Sequence, residues 1–360
     1  MYDLVILRTP DRIGDYTLWH DAIPEYKKKY DGKKILLITV KDLLPLMQEE
    51  CIFNDIITYD HNRLIHDIRY LFSFLRRIRK VEAGVTIYPF RTRNIVGDIF
   101  VSCIRSKEKI GLKYVREKGL SFRNLCNQFF NHCYTRLIDT NNVIHEIEAI
   151  ELFTREVVNP NYRYGYNRFV LNETDKFSKK KYAVIALSAS QKQKIWSVYS
   201  FASIINEIPD EYDIVLSGYG HEDEERATIV CENVNNKDRI VSMVGKTTIL
   251  QLVSLIAHSC FVVGNDSSAV HIAAATCVPS ICVLHGAHFN RFVPYPQHLP
   301  FQKYYPRAVY FKMDCYWCGY NCKKPIIDET YECLRRVTVD MVKIELNKLL
   351  DEINNGIFDE

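Results

Sequence analysis

Apolar and polar positions alternate in blocks along this chain. Residues 2–7 form a short apolar run closed by Arg8, Thr9, Pro10 and Asp11, and residues 18–30 then repeat apolar side chains at helical spacing, with Pro24 as a kink. A second buried run at 34–40, a helix at 42–49, a strand at 55–59 and a further strand at 85–89 continue the series. Strands that are apolar throughout and separated by helices predict a parallel sheet covered on both faces. The periodicity lapses between 157 and 180, where Asn159, Pro160 and the run Lys179, Lys180, Lys181 have linker chemistry. A second series follows, with strands at 182–187, 212–216, 260–263 and 279–284 and helices at 197–207, 221–232, 248–258 and 268–275. Residues 339–353 read as an amphipathic helix that packs back across the domains. The pattern predicts two consecutive open α/β domains, 1–168 and 181–336, with a linker at 169–180 and a helical tail at 337–360. A deep cleft between the carboxyl ends of their strands is the expected ligand site.

A length of 360 residues, 47% hydrophobic and 25% charged, suits two such domains and excludes a disordered or fibrous chain. The net charge is only +3, but residues 1–170 carry 27 Lys and Arg against 21 Asp and Glu, so the first domain is the one suited to an anionic partner. The run Arg76, Arg77, Ile78, Arg79, Lys80 reads either as the solvated face of a packed helix or, with Phe72, Phe74 and Leu75, as a surface that rests on anionic lipid. No run of about 18 apolar residues or cleavable leader is present, so a cytoplasmic protein is expected, with peripheral membrane contact at most. Of the 12 cysteines, eight are scattered singly and read as small packed hydrophobes.

Three segments carry candidate chemistry. In the first, an apolar strand ends at Gly264, a polar turn Asn265, Asp266, Ser267 follows, and a helix starts near Ser268 with His271 one turn in. Free backbone N–H groups, hydroxyls and the positive end of the helix dipole make this an anion site suited to a diphosphate. The plainer alternative is that Asp266 or Ser267 caps the helix. The second is Ser188, Ala189, Ser190 and Lys194 ahead of Trp196, again at a strand end, where hydroxyls and one ammonium can meet phosphate oxygens. In the third, Arg12, Gly14 and Asp15 follow the first strand; Gly14 allows close backbone approach, and Asp15 is placed to take a proton from a hydroxyl.

Two motifs mislead. Gly245, Lys246, Thr247, Thr248 ends like a phosphate-binding loop but lacks the earlier glycine, where Ile240 stands, and reads as a turn with Thr247 or Thr248 capping the next helix. Gly218 and Gly220 are two thirds of a dinucleotide fingerprint, with Asp223 at the third position. Near the end, Cys315, Cys318, Cys322 and Cys333 have spacing compatible with structural zinc or with free or paired thiols, and offer no open position for catalysis. A nucleic-acid module is not expected, since no basic-aromatic strand pattern accompanies them.

Taken together, Arg12 to Asp15, Lys194 with Trp196, Gly218 with the acidic segment 221–226, Gly245 to Thr248, Asn265 to His271 and the late cysteines make the chain resemble glycosyltransferase family 9, the ADP-heptose:lipopolysaccharide heptosyltransferases. The resemblance implies a GT-B fold, two Rossmann-like parallel-sheet domains facing a central cleft, in which the second domain holds a nucleotide diphosphate sugar, ADP-heptose above others. The first domain then holds an anionic glycan or glycolipid acceptor near Arg12 and Gly14, with Asp15 as general base. It further implies Ser188, Ser190 and Lys194 near the diphosphate or ribose, Glu222 near the ribose, Met243 near the base, and Asp266, Ser267, Ser268 and His271 around the sugar and phosphates. Ser268 departs from the family, which usually has Gly there. Catalysis by these groups requires no metal. A nucleotide-sugar epimerase and a non-catalytic glycan-binding protein are the competing readings.

Overall fold

The computed structural model describes residues 1–358 apart from 10, 92, 114–128, 141–142, 166–167 and 170–179. It divides into two compact units, Met1–Asn167 and Arg168–Glu360, each with its own six-stranded sheet. The expected linker at 169–180 lies, except for residues 169 and 180, outside the described residues.

The first unit contains β1 (Tyr2–Leu7), β2 (Ile35–Val40), β3 (Asp55–Tyr59), β4 (Glu82–Tyr88), β5 (Arg105–Leu112) and β6 (Arg136–Ile138), in the order β3-β2-β1-β4-β5-β6. The second contains β7 (Tyr182–Ala186), β8 (Asp213–Ser217), β9 (Ile240–Ser242), β10 (Phe261–Asn265), β11 (Ser280–Val283) and β12 (Arg307–Val309), in the order β12-β11-β10-β7-β8-β9. Every pairing is parallel; Val5 stands opposite Leu36 and Thr86, and Val263 opposite Ile185 and Ile281. Strands β2, β7, β10 and β11 are buried at every residue, because helices cover both faces of a parallel sheet.

Strand order reverses between β1 and β4 in the first sheet and between β7 and β10 in the second. Crossovers leave such a point on opposite faces, so the segments that follow the two strands part and leave a crevice at their carboxyl ends. The segment after β1 begins at Arg8, and those after β7 and β10 begin at Leu187 and Asp266.

Four strands, β5, β6, β9 and β12, escape the sequence pattern. β5 reads Arg-Ser-Lys-Glu-Lys-Ile-Gly-Leu and β6 has three residues; both lie toward the polar edge, where pairing of β5 with β4 and of β6 with β5 supplies what periodicity does not. Pro24 does not kink one helix but opens a second, Ile23–Lys29, after Ile13–His20, because a residue without an N–H costs nothing in a first turn. The basic helix Ile68–Ile78 buries Phe74 and Ile78 in the core and leaves Phe72 and its arginines exposed. Among the described residues, no helix is long and apolar enough to cross a membrane. The last helix, Val339–Asn354, buries Val342, Leu346, Leu349 and Leu350 in the core of the second unit, against β11, β12 and the helix Val198–Glu207.

Gly264 has a packing reason. It pairs with Ala186 across β10 and β7, and a Cβ built on it would stand 2.8 Å from the Ala186 Cβ and 3.1 Å from the Ala186 carbonyl oxygen. Gly264→Ala is therefore expected to lower the unfolding free energy by about 1–3 kcal/mol, the usual cost of overpacking. Urea denaturation reads this directly, and an unchanged midpoint would mean that the two strands part freely.

Candidate functional site

In the first unit the segment after β1 is built around Arg8. Its guanidinium donates to both carboxylate oxygens of Asp11, at 2.8 and 2.9 Å, and to the carbonyl of Asp15 at 3.1 Å. The Trp19 and Phe90 rings flank it at 4.5 and 4.3 Å from their centroids. Arg8 and Asp11 are buried, so the pair and its aromatic walls fix the turn that feeds the helix Ile13–His20. Asp15 sits half-buried in the first turn of that helix, where the dipole favours a carboxylate. Arg12 is exposed at the N-cap position. Gly14 is a half-buried helical residue without a left-handed backbone.

In the second unit, Lys194 and the turn at Asp266–Ser268 come together because β7 and β10 are neighbours. Asn265, fully buried at the end of β10, accepts from the Trp196 N–H at 2.8 Å and donates to the Leu187 carbonyl at 3.0 Å. It thereby straps the whole Lys192–Trp196 turn to the sheet. Lys194 is 8% exposed, yet among the described residues no group accepts a hydrogen bond from its ammonium. Ser267 occupies the N-cap of Ser268–Ala275 without a side-chain cap bond, which removes capping as the purpose of its hydroxyl. The first N–H groups of that helix and the half-buried hydroxyls of Ser267 and Ser268 thus remain available to an anion.

Asp266 does not cap the helix either. Its carboxylate faces His285 Nε2 at 3.3 Å, and His285 Nδ1 accepts from the Ala287 N–H at 3.1 Å, so the hydrogen of His285 lies on the side of Asp266. Burial alone would raise the Asp266 pKa, but the His285 hydrogen bond and the nearby Lys194 charge outweigh it and hold the carboxyl well below its usual range. His271 is 4% exposed, shares a 2.8 Å hydrogen bond with the Tyr295 hydroxyl and stacks on that ring at 5.8 Å. Burial lowers its pKa to about 4, against the pull of Asp266, so the ring is neutral near pH 7.

The remaining expected residues lie farther along the same strand ends. The Ser188 hydroxyl bonds the buried Asp223, which also accepts from the Tyr219 N–H at 2.9 Å, and Ser190 is exposed in the loop. Glu222 is exposed and paired with Lys192 at 2.9 Å, while Met243 is half-buried just past β9. The decoys resolve locally: Thr248 forms a capping box with Gln251, and Gly220, at φ 84°, only precedes a helix. Sequence reasoning placed Asn265 in this turn but did not single out His285, His288 and Tyr320, which the structure brings beside it. A signal for two of them was present, since His285, Gly286, Ala287 and His288 follow an apolar strand as the other polar turns do.

The four late cysteines line one small cavity together with Gly286, Met313 and Tyr316, and all are free thiols. Burial raises the Cys333 and Cys318 thiols; the Gly286 N–H, 3.4 Å from the Cys333 sulfur, and the Tyr320 amide beside Cys318 act in the opposite sense. Among the described residues, no three His, Cys, Asp or Glu side chains are gathered around one metal-sized point.

Comparison with known proteins bears on the family and the fold. The family described as glycosyltransferase family 9 (heptosyltransferase) matches residues 100–313. Lipopolysaccharide heptosyltransferase 3 of Escherichia coli K12 is 24% identical over 351 residues, 94% of this chain and 96% of that protein. The Escherichia coli heptosyltransferase WaaC with ADP-2-deoxy-2-fluoro heptose superposes with a TM-score of 0.68 at 15% identity, covering 96% of this chain and 99% of that one. TibC of enterotoxigenic Escherichia coli, a dodecameric iron-containing heptosyltransferase, gives 0.56 at 14% identity, over 98% of this chain and 76% of that one. The two parallel α/β sheets are those of the GT-B fold.

The His271 assignment carries a pH signature. An unfolded histidine takes up a proton near pH 6.5, whereas the folded ring resists until about 4, so its contribution to stability falls as pH drops through that window and levels off below it. A ring-nitrogen NMR titration of His271 is expected to show a midpoint near 4. A midpoint at the ordinary histidine value would mean that the ring is solvated.

Proposed function

The chain belongs to glycosyltransferase family 9, the heptosyltransferases, and on that premise we propose that it transfers a heptose from ADP-heptose, with inversion, to a hydroxyl of an anionic cell-envelope glycan such as lipopolysaccharide. The observation that carries this reading is Lys194, 8% exposed and with no acceptor for its ammonium among the described residues, beside an uncapped helix N-terminus at the ends of neighbouring strands β7 and β10. Such a site is complementary to a diphosphate whose charge grows as its bond to sugar breaks.

In the proposed step Asp15 takes the acceptor proton and the acceptor oxygen forms its bond to the anomeric carbon. The bond from that carbon to the diphosphate breaks at the same time, and ADP leaves with the electron pair. Lys194 and the N–H groups and hydroxyls at Ser267 and Ser268 receive the departing charge. Asp266 is ionised and repels phosphate, so its role is to accept from sugar hydroxyls, with neutral His271 behind it. Ser188 and Glu222 lie on the ribose side, Met243 near the base, and Arg12 and Gly14 on the acceptor side. Ser190, exposed in its loop, is assigned to the diphosphate side in this reading.

A thermal-shift panel of ADP, GDP and UDP followed by a transfer assay tests the reading, since a ligand of the folded state raises the melting temperature. ADP is expected to stabilise the protein most, and Asp15→Asn to abolish transfer while ADP affinity stays within about twofold. Transfer by that variant at the wild-type rate removes Asp15 from the mechanism; a protein stabilised only by UDP or GDP overturns the choice of donor.

The cysteine segment has a separate structural reading. Four thiols on one cavity, two of them facing backbone N–H groups, match a soft metal such as zinc or iron in donor type, and binding would have to draw at least three of them onto one point where none now converge. Bound there, the metal would brace Cys315, Cys318, Cys322 and Cys333 without touching substrate. Metal analysis of the purified chain is expected to find stoichiometric zinc or iron that Cys318→Ser with Cys322→Ser releases. A chain purified from metal-replete cells with none bound would overturn this.

A further inference from the structure

The segment between Cys315 and Cys333 does more than fill space beside the donor site. Its backbone is bonded to the loop after β11, with the Trp317 N–H donating to the Gly286 carbonyl at 3.0 Å and the Gly319 N–H to the Ala287 carbonyl at 3.1 Å. At its far end the Tyr331 N–H donates to the Gln193 carbonyl at 3.3 Å, in the turn that carries Lys194. Between these anchors the Tyr320 ring lies with its centroid 5.2 Å from the Lys194 ammonium. His288 meets the same ring edge to face at 4.5 Å, and Tyr331 stacks on it at 6.4 Å.

Tyr320 is held there against its own backbone preference. Its φ is +67°, in the left-handed region that a residue with a bulky side chain rarely adopts, and Trp317 shares that φ while Gly319 has +58°. A tyrosine kept in a conformation that glycine would occupy without strain is an observation pointing toward function. The face of an aromatic ring attracts an ammonium yet offers no strong hydrogen-bond acceptor, so it can fix Lys194 in place and leave its N–H donors directed at a ligand.

Building on the donor-site reading above, we propose that Tyr320 is a positioning residue for Lys194: its strained backbone presents an aromatic face that aims the ammonium at the donor diphosphate. Through it, the four-cysteine segment becomes one wall of the donor site. Tyr320 acts by way of Lys194 and touches no reacting atom.

Calorimetric titration of ADP into the full chain and four variants tests this. Tyr320→Gly relieves the backbone and removes the ring, so it is expected to keep or raise the melting temperature of the free protein while weakening ADP binding by roughly 5- to 30-fold, the value of a desolvated cation–π contact. Tyr320→Phe keeps the ring and is expected to bind ADP within about twofold of wild type. In a Lys194→Ala background, Tyr320→Gly is expected to add no further loss, because the group it positions is gone. A merely structural role predicts a lower melting temperature and an equal loss of affinity in both backgrounds, and either result overturns the proposal. So does Tyr320→Gly binding ADP as tightly as wild type, which refutes the positioning role alone. Wild-type protein that binds neither ADP nor another nucleoside diphosphate refutes the donor-site reading, and the positioning role with it.

Discussion

Burying most of the Lys194 side chain at the end of β7 is the constraint on which this part of the second unit is organised. A lysine taken out of water loses solvation that must be replaced, and the replacement here is spread over several groups. Asp266 supplies an opposite charge, Tyr320 an aromatic face, and Asn265 the strap that keeps the turn from swinging the side chain back into solvent. None of these accepts a hydrogen bond from the ammonium itself. Its donors are left for an anion, and the helix N-terminus beginning at Ser268 faces the same need from the opposite direction.

The first unit handles a cation in the opposite way. Arg8 follows β1 as Lys194 follows β7, and it too is buried beside a carboxylate and aromatic rings. Its donors, however, reach Asp11 and the Asp15 carbonyl. A guanidinium satisfied in that way holds a backbone in shape, whereas an ammonium with donors to spare awaits a partner. The contrast separates a cation whose donors are satisfied within the protein from one that has no acceptor among the described residues.

The histidines of the second unit set the polarity of the turns after β10 and β11. His285 turns its N–H toward Asp266 because its other nitrogen is already engaged by the Ala287 amide, which keeps Asp266 ionised. Burial keeps His271 and His288 neutral near pH 7. Lys194 places its positive charge beside the Asp266 carboxylate.

The sequence by itself determined the elements whose cause is local. Ser268–Ala275 and His221–Glu232 begin and end where their side chains say they should, and Thr248 caps its helix through a residue three positions on. The polar turns after β7 and β10 were legible because hydroxyl and charged residues directly after a buried apolar strand have few other uses. Tertiary structure decided whatever depends on a distant neighbour. β5 pairs in spite of its charges, Gly264 is required by Ala186, and Tyr320 matters for the residue it covers, Lys194, well over a hundred positions earlier. Periodicity and capping are short-range effects written into adjacent residues; a close approach between strands, or a ring laid over an ammonium, exists only once the chain has brought remote segments together.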